Sequence, residues 1–498
     1  MAMQRLSATS AWPMHGREGI RSLEALLQAS SPQALMRLAG RSAAQLAMAI
    51  APHAQHIWVA AGPGNNGGDG LEAALHLHQQ GKEVRVSLFG HAQNLPDDAH
   101  AAWQRARDAG VPITSERPES WLDNMGPLDL CIDALLGIGA VRPLSHEMQV
   151  WVHTLNRCAA QVLAMDVPTG LDPESGQALG QMADAPVLVQ ADHTLTFIAG
   201  KPGLFMGHGR DACGQIWLDE LGQRPNQSHV QPQAWLNMAP APIPKPHASH
   251  KGSHGDVAII GGESMAVNGM GMTGAAVLAA TAALHAGAGR VILTLLSGQA
   301  AEQVPPDLMQ RTWKCLALEQ LHVVCGCGGG QAVRPLLPEV LQRSAQLVLD
   351  ADGLNAVAQD KGLQALLRQR GAKRPTVLTP HPLEAARLLN ISSIQVQSNR
   401  LKAAQDLAIQ FNCTVVLKGS GTVIVTPHQT PRINTSGNGR LATGGTGDVL
   451  AGLVGTRMAQ GGRDFDAACA AVAQHGQLAN DWPVEQALTA TRLAQSLR

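Results

Sequence analysis

Two runs of this 498-residue sequence set acidic side chains among clustered glycines, where backbone N–H groups can converge on an anion. The longer is Asn438-Gly439-Arg440-Leu441-Ala442-Thr443-Gly444-Gly445-Thr446-Gly447-Asp448. Its glycines free several N–H groups to surround the charge that develops on a transferring phosphoryl group. Asp448 then enters the first turn of a helix, placed to accept the proton of an attacking hydroxyl. The plain alternative is an aspartate that only caps the helix.

The second run is Gly62-Pro63-Gly64-Asn65-Asn66-Gly67-Gly68-Asp69-Gly70. A glycine-rich turn at a helix N-terminus binds phosphate without lysine. Two asparagines and an aspartate interrupt the usual dinucleotide fingerprint, and their oxygens suit a hard cation. Two more strand ends carry carboxylates, Asp133-Ala134-Leu135-Leu136-Gly137-Ile138-Gly139 and Asp166-Val167-Pro168-Thr169-Gly170-Leu171-Asp172. Ligands of open α/β sheets sit beyond the carboxyl ends of strands, so these acidic loops can converge.

The elements that must position these groups read as two α/β domains. In the first, strands are predicted over 57–61, 84–89, 128–136, 161–167, 194–198 and 215–218. Helices are predicted over 22–27, 32–50, 71–80 and 97–109. That alternation makes a Rossmann-like, doubly wound sheet. In the second, strands are predicted over 256–260, 290–296, 321–325, 346–349, 376–378, 414–417 and 422–425. Helices are predicted over 273–285, 383–389, 400–410, 448–458 and 466–480. Between them Pro240, Pro242, Pro244 and Pro246 alternate, a pattern that supports neither helix nor central strand. The expected layout is therefore a domain over 1–223, a Pro/Gln-rich linker over 224–245 and a domain over 246–498.

Composition narrows the function classes. Hydrophobic residues make up 45% and charged residues 15%, so the chain is globular. A net charge of −1 gives no global field toward nucleic acid or an anionic membrane. Anionic substrates must be held by local devices. No run approaches the roughly 18 apolar residues of a membrane span. The eight scattered cysteines fit reduced thiols, Cys325 and Cys327 being the only close pair. A cytoplasmic homo-oligomer acting on small molecules is expected.

At these residues the first domain resembles the NAD(P)HX epimerases, the N-terminal part of bifunctional NAD(P)H-hydrate repair enzymes, from Leu35 to about Gly203. The resemblance implies that Asn65, Asn66, Gly67, Gly68 and Asp69 bind substrate phosphates and that Asn66, Asp133 and Thr169 hold potassium. It also implies substrate contacts from Gly137, Ile138, Gly139, Ala140, Val141, Arg142, Pro143 and Asp166. Ile138 stands where the family usually has threonine. Epimerisation needs proton handling, for which Asp69 and Asp166 are both candidates.

The second domain resembles the ribokinase-like, ADP-dependent NAD(P)H-hydrate dehydratases across most of 245–491. The motifs that carry this are His250-Lys251-Gly252, Gly326-Cys327-Gly328-Gly329-Gly330, Asp350-Ala351-Asp352-Gly353-Leu354-Asn355, Thr379-Pro380-His381-Pro382-Leu383-Glu384 and Lys418-Gly419-Ser420-Gly421-Thr422, with the Asp448 run. The resemblance implies that Lys418, Gly419, Ser420, Gly421, Thr422 and Gly447 bind ADP, the phosphoryl donor, with Mg2+ on its phosphates. Ala275, Gly328, His381 and Asp448 would contact the hydrates NADHX and NADPHX. Cys327 replaces a usual proline, and Pro305-Pro306-Asp307 replaces a His-Pro-Glu-like stretch. The alternative function is a ribokinase-superfamily small-molecule kinase with an accessory binding domain.

Overall fold

The computed structural model describes residues 3–7, 10–30, 34–182, 185–222, 230–238, 247–269, 271–296 and 304–497. The chain divides into two compact units, with the main division between Ala234 and Trp235.

In the first unit the sheet runs Gln4–Arg5, Gln215–Asp219, His193–Phe197, Gln161–Met165, Leu130–Ala134, His56–Ala61, Glu83–Leu88, Ile113–Thr114. All pairs are parallel except that of Gln4–Arg5 with Gln215–Asp219. The central strands are continuous apolar runs because both faces are covered. Ile57, Val59 and Ala61 face one core with the helices Leu35–Ile50 and Asn65–Gln79. Trp58 and Ala60 face the other with Trp151 and Leu155 of the helix His146–Arg157.

From His56–Ala61 the chain builds outward to Glu83–Leu88 and Ile113–Thr114, then returns to lay Leu130–Ala134 on the opposite side. The crevice between His56–Ala61 and Leu130–Ala134 is thus the topological switch point, where such sheets hold ligands. Gly62 closes that crevice. A Cβ there would stand 1.7 Å from the Leu135 carbonyl oxygen, so only glycine lets the strands meet.

The second sheet runs Met309–Gln310, Arg290–Leu295, Asp256–Gly261, His322–Cys325, Gln346–Leu349, Thr376–Leu378, Thr414–Leu417, Val423–Val425, Arg432–Ile433. It is parallel through Thr414–Leu417, antiparallel across Val423–Val425 to Arg432–Ile433, and parallel again where Arg432–Ile433 meets Ala234–Leu236. Helices Thr273–His285, Thr446–Ala459 and Asp464–Asn480 contribute to the core on one of its faces. Alanines in the first of these let the second pack closely, and a Cβ on Gly452 would lie 2.1 Å from the Ala279 carbonyl oxygen.

Three expectations change. Ala234–Leu236 is a strand within the expected linker, with Trp235 and Leu236 paired in parallel to Arg432 and Ile433. The alternating prolines that argued against a strand there lie outside the described residues. The run from Gly62 to Gly70 is only briefly a loop, because the helix starts at Asn65. The helix His146–Arg157 was not predicted, although Ser145 caps it by accepting the Met148 N–H.

Candidate active sites

The first unit opens at its switch point into a cavity of about 730 Å³. Asn65, Asn66, Asp69, Asp166 and Lys201 line it, together with the backbone from Gly137 to Ala140. Gly64 is the helix N-cap, so the first-turn amides of Asn65, Asn66 and Gly67 head an anion-binding end. Gly67 packs on the Gly62 carbonyl and Gly68 on Met36, so both serve the core rather than the cavity lining. Val141, Arg142 and Pro143 lie outside the lining.

Asp133 is fully buried at the end of its strand. One oxygen accepts the Thr169 N–H at 2.7 Å; the other accepts the Thr169 hydroxyl at 2.7 Å and the Leu135 N–H at 3.2 Å. Burial outweighs these neutral donors and pushes its carboxyl up to about 6. Asn66 is also buried, and neither of its side-chain amide atoms has a hydrogen-bond partner among the described residues. Orphaned amide atoms in a buried site are costly, and the Asn66 Oδ1 is an acceptor of the kind a cation takes, whereas its Nδ2 needs an acceptor of its own.

Asp166 adopts a left-handed backbone, φ 64°, an uncommon state for a residue with a side chain. That turn aims its carboxylate at two donors. The Ile138 N–H reaches one oxygen at 2.9 Å, and the Lys201 ammonium reaches the other at 2.5 Å. The contact comes from the Ile138 backbone, so the side chain that replaces the family's threonine is not needed for it. Lys201 is 1% exposed and also donates to the Thr196 hydroxyl at 2.7 Å and the Phe197 carbonyl at 2.9 Å. Asp69 faces the opposite situation. Burial first, then the charges of Asp166 and Glu24, push its carboxyl well above the usual range.

Arg17 holds the loop that follows Asp133. Its guanidinium donates to the carbonyls of Ile138 at 3.0 Å and Ala140 at 2.8 Å, and is itself gripped by Asp172 and Glu174. The sequence reading missed both Arg17 and Lys201. Arg17 precedes every motif, and a lone lysine in Ala199-Gly200-Lys201-Pro202-Gly203 carries no spacing signal.

In the second unit five strand ends meet. Asp448 lies in the first turn of Thr446–Ala459, whose N-cap is Gly445 with φ 91°. The N-cap position thus belongs to Gly445, and the Asp448 carboxylate faces Cys327, Asp350 and Lys418. The Cys327 sulfur and a carboxylate oxygen of each of Asp350 and Asp448 all lie within 4.8 Å of one another. Burial, then the charge of Asp350, push the Asp448 carboxyl up to about 6. Lys418 donates to Asp350 at 2.6 Å, and its ammonium stands 3.4 Å from where a Cβ on Gly447 would be.

The turn from Lys418 to Thr422 is shaped by Arg400, a buried guanidinium that donates to the carbonyls of Leu417 and Lys418 at 3.1 Å. This residue too escaped the sequence reading. Gly419 and Gly421 take positive φ, 135° and 70°. His381 caps the helix Pro382–Leu389, accepting the Leu383 and Glu384 N–H groups through Nδ1. Its ring is lowered in pKa by burial first and then by the charge of Lys418. Ala275 packs on Gly328, whose added Cβ would come within 2.9 Å of it. Asp352 accepts the Gly330 N–H at 2.8 Å and fixes the end of that loop.

Comparison with known proteins agrees with this division. Residues 32–203 match the family described as YjeF-related protein N-terminus, and residues 257–498 match NAD(P)H-hydrate dehydratase. The bifunctional NAD(P)H-hydrate repair enzyme Nnr of Escherichia coli is 35% identical over 90% of this chain and 84% of its own. That of Coxiella burnetii is 35% identical over 96% and 97%. Among solved structures, ADP/ATP-dependent NAD(P)H-hydrate dehydratase from Bacillus subtilis, co-crystallised with ATP/Mg2+, shares 29% identity with a TM-score of 0.43, covering 51% of this chain and 91% of that one.

Removing one partner of a buried ion pair strands the other. Lys201→Met is expected to lower the stability of the first unit by about 3–5 kcal/mol, read by urea unfolding. Lys201→Met with Asp166→Asn is expected to recover much of that. A single-variant loss below about 1 kcal/mol would mean that the pair does not hold the loop.

Proposed function

This chain belongs to the bifunctional NAD(P)H-hydrate repair enzymes, and on that premise we propose how its residues divide the work. The N-terminal unit is the epimerase and the C-terminal unit the dehydratase. That pairing across nearly the whole chain sets aside a lone small-molecule kinase.

For dehydration, ADP with Mg2+ on its phosphates is taken to lie on Lys418, Gly419, Ser420, Gly421, Thr422 and Gly447. The hydrate meets Ala275, Gly328, His381 and Asp448. One observation carries the reading: a first-turn carboxylate, raised by burial to about 6, stands with Lys418, whose ammonium would lie 3.4 Å from a Cβ on Gly447. A base of that strength is ionised at neutral pH yet still takes a proton readily. Asp448 receives the proton of the ring hydroxyl while its oxygen bonds to the terminal phosphoryl group, and AMP leaves. Hydroxide is a poor leaving group and phosphate a good one. The carbon–oxygen bond then breaks, a proton leaves the neighbouring carbon, and the ring double bond of NADH or NADPH returns.

Epimerisation requires the hydroxyl beside the ring nitrogen to depart and return on the other face. Asp69, whose surroundings favour the protonated carboxyl, gives its proton to the departing hydroxyl. Asp166, steadied by Lys201 and the Ile138 N–H, takes the proton of the returning water. The roles exchange in the reverse direction. The anion-binding end with Asn65, Asn66 and Asp69 and the loop from Gly137 to Ala140 hold the substrate around them. Potassium suits Asn66, Asp133 and Thr169, where it supplies positive charge beside the bound phosphates.

Asp448→Asn is expected to cut nucleotide-dependent recovery of reduced-nicotinamide absorbance by at least about a hundredfold while hydrate epimers still interconvert. Asp69→Asn and Asp166→Asn should do the reverse. If each folded variant lost both activities, the division of labour would be wrong.

The cation has its own test. A carboxyl raised to about 6 in the fold stabilises the protein when protonated, and that stability is lost as pH rises through 6. Potassium offsets the loss only where Asp133 is ionised. Replacing tetramethylammonium by potassium should therefore raise the melting temperature of the first unit at pH 8 and much less at pH 5. Asp133→Asn should abolish the difference. An equal response in that variant would rule the site out.

A further inference from the structure

The dehydratase pocket contains one group that the reaction as derived does not use. Cys327 is fully buried in the loop after His322–Cys325. Its sulfur lies within 4.8 Å of carboxylate oxygens of both Asp350 and Asp448. Burial first, then those two carboxylates, push the thiol well above its usual range, so the sulfur keeps its hydrogen. A protonated thiol between two carboxylates is a donor. Asp350 already has the Lys418 ammonium at 2.6 Å, which leaves Asp448 as the carboxylate within 4.8 Å of the thiol that no lysine bonds among the described residues.

We propose that Cys327 is a positioning residue of the dehydratase, its S–H donating to the Asp448 carboxylate to orient the base and stabilise its ionised form. The proposal rests on the dehydratase reading above. The loop that carries Cys327 is pinned for this task. The Cys327 carbonyl stands 2.2 Å from where a Cβ on Gly261 would be and accepts the Gly262 N–H at 3.0 Å. Further along, the Glu263 and Asp352 carboxylates accept N–H groups of Ala332 and Gly330. The sulfur is thereby delivered by backbone rather than by a mobile side chain.

Every other titratable group facing Asp448 acts differently. Asp350 and Asp352, from the start of the helix Ala351–Ala358, disfavour its charge, and Lys418, beyond Thr414–Leu417, favours it. His475, on Asp464–Asn480, bonds the Thr446 carbonyl at 3.0 Å and is pushed down to about 4 by burial, so it is neutral across the working range. Helix Thr273–His285 packs its alanines against the Asp448 helix. The thiol is therefore a donor to Asp448 that can be removed without removing a charge.

The test is the pH profile of kcat/KM for nucleotide-dependent return of NADH from its hydrate, over pH 5–9, with thermal unfolding of every variant. The wild-type acid limb is expected near 6. Losing a hydrogen bond to an ionised group in Cys327→Ala or Cys327→Pro should move that limb up by about one pH unit, an approximately fivefold loss at pH 6 that closes above pH 8. Cys327→Ser keeps a donor and should hold the limb where the wild type has it. A merely structural cysteine would lower melting temperature and activity at all pH values alike. An unmoved limb in a folded Ala or Pro variant, or the same movement in Ser, overturns the proposal. A wild-type chain that returns no NADH overturns the dehydratase reading, and the proposal with it.

Discussion

Parallel sheets end in backbone that must turn outward, and in both units these turns carry more carboxylate than cation. A carboxylate taken out of water is costly unless something answers its charge. Here each unit provides one well-buried lysine and spends it on one aspartate, Lys201 on Asp166 and Lys418 on Asp350. The pairing leaves a second aspartate in each half with no lysine hydrogen bond among the described residues, Asp69 in one and Asp448 in the other. Both are shifted toward the proton by burial first and by the neighbouring paired aspartate second. Proton chemistry in each half follows from which carboxylate the lysine does not reach.

The degree of compensation separates the two chemistries. Asp448 keeps partial help from Cys327 and Lys418, so its proton affinity stops near neutrality and it works as a base. The charges that bear on Asp69 are all carboxylates, those of Asp166, Glu24 and Glu72, so its surroundings favour the acid form. Environments that drive paired carboxyls apart are a recurrent way to obtain an acid and a base from one residue type. Backbone clamps make the arrangement durable. Arg17 and Arg400 each direct a guanidinium at carbonyls of a ligand-facing turn, fixing its path without entering the reacting zone.

The sheets were largely legible in the sequence because doubly covered strands must be apolar throughout. Thr273–His285, Gln346–Leu349, Thr376–Leu378 and Thr414–Leu417 are observed over the ranges their patterns predict. Helix starts were less legible. Glycine in Asn65-Asn66-Gly67-Gly68 lowers helix propensity, yet close approach to Gly62 and Met36 makes small residues obligatory there, so packing overrides propensity. The helix His146–Arg157 had a signal in Ser145 followed by Met148, Trp151, Val152 and Leu155 at helical spacing. Ala234–Leu236 did not, since a three-residue edge strand is specified by the partner it finds.

Site residues divide along the same line. Asp166, Asp133 and Lys418 sit at strand ends and Asp448 at a helix start, all inside motifs, where sequence spacing and spatial convergence coincide. Lys201, Arg17 and Arg400 act across |i−j| separations of 35, 121 and 17 residues, and no local pattern records a partner that folding supplies. Cys327 belongs to both groups. Its motif was visible, but there Cys327 registered only as a replacement for a usual proline. Only the meeting of three strand ends turns that departure into a donor beside a base. Substitutions at buried loop positions near a reacting carboxylate therefore alter proton affinity through contacts that sequence comparison alone registers as mere difference.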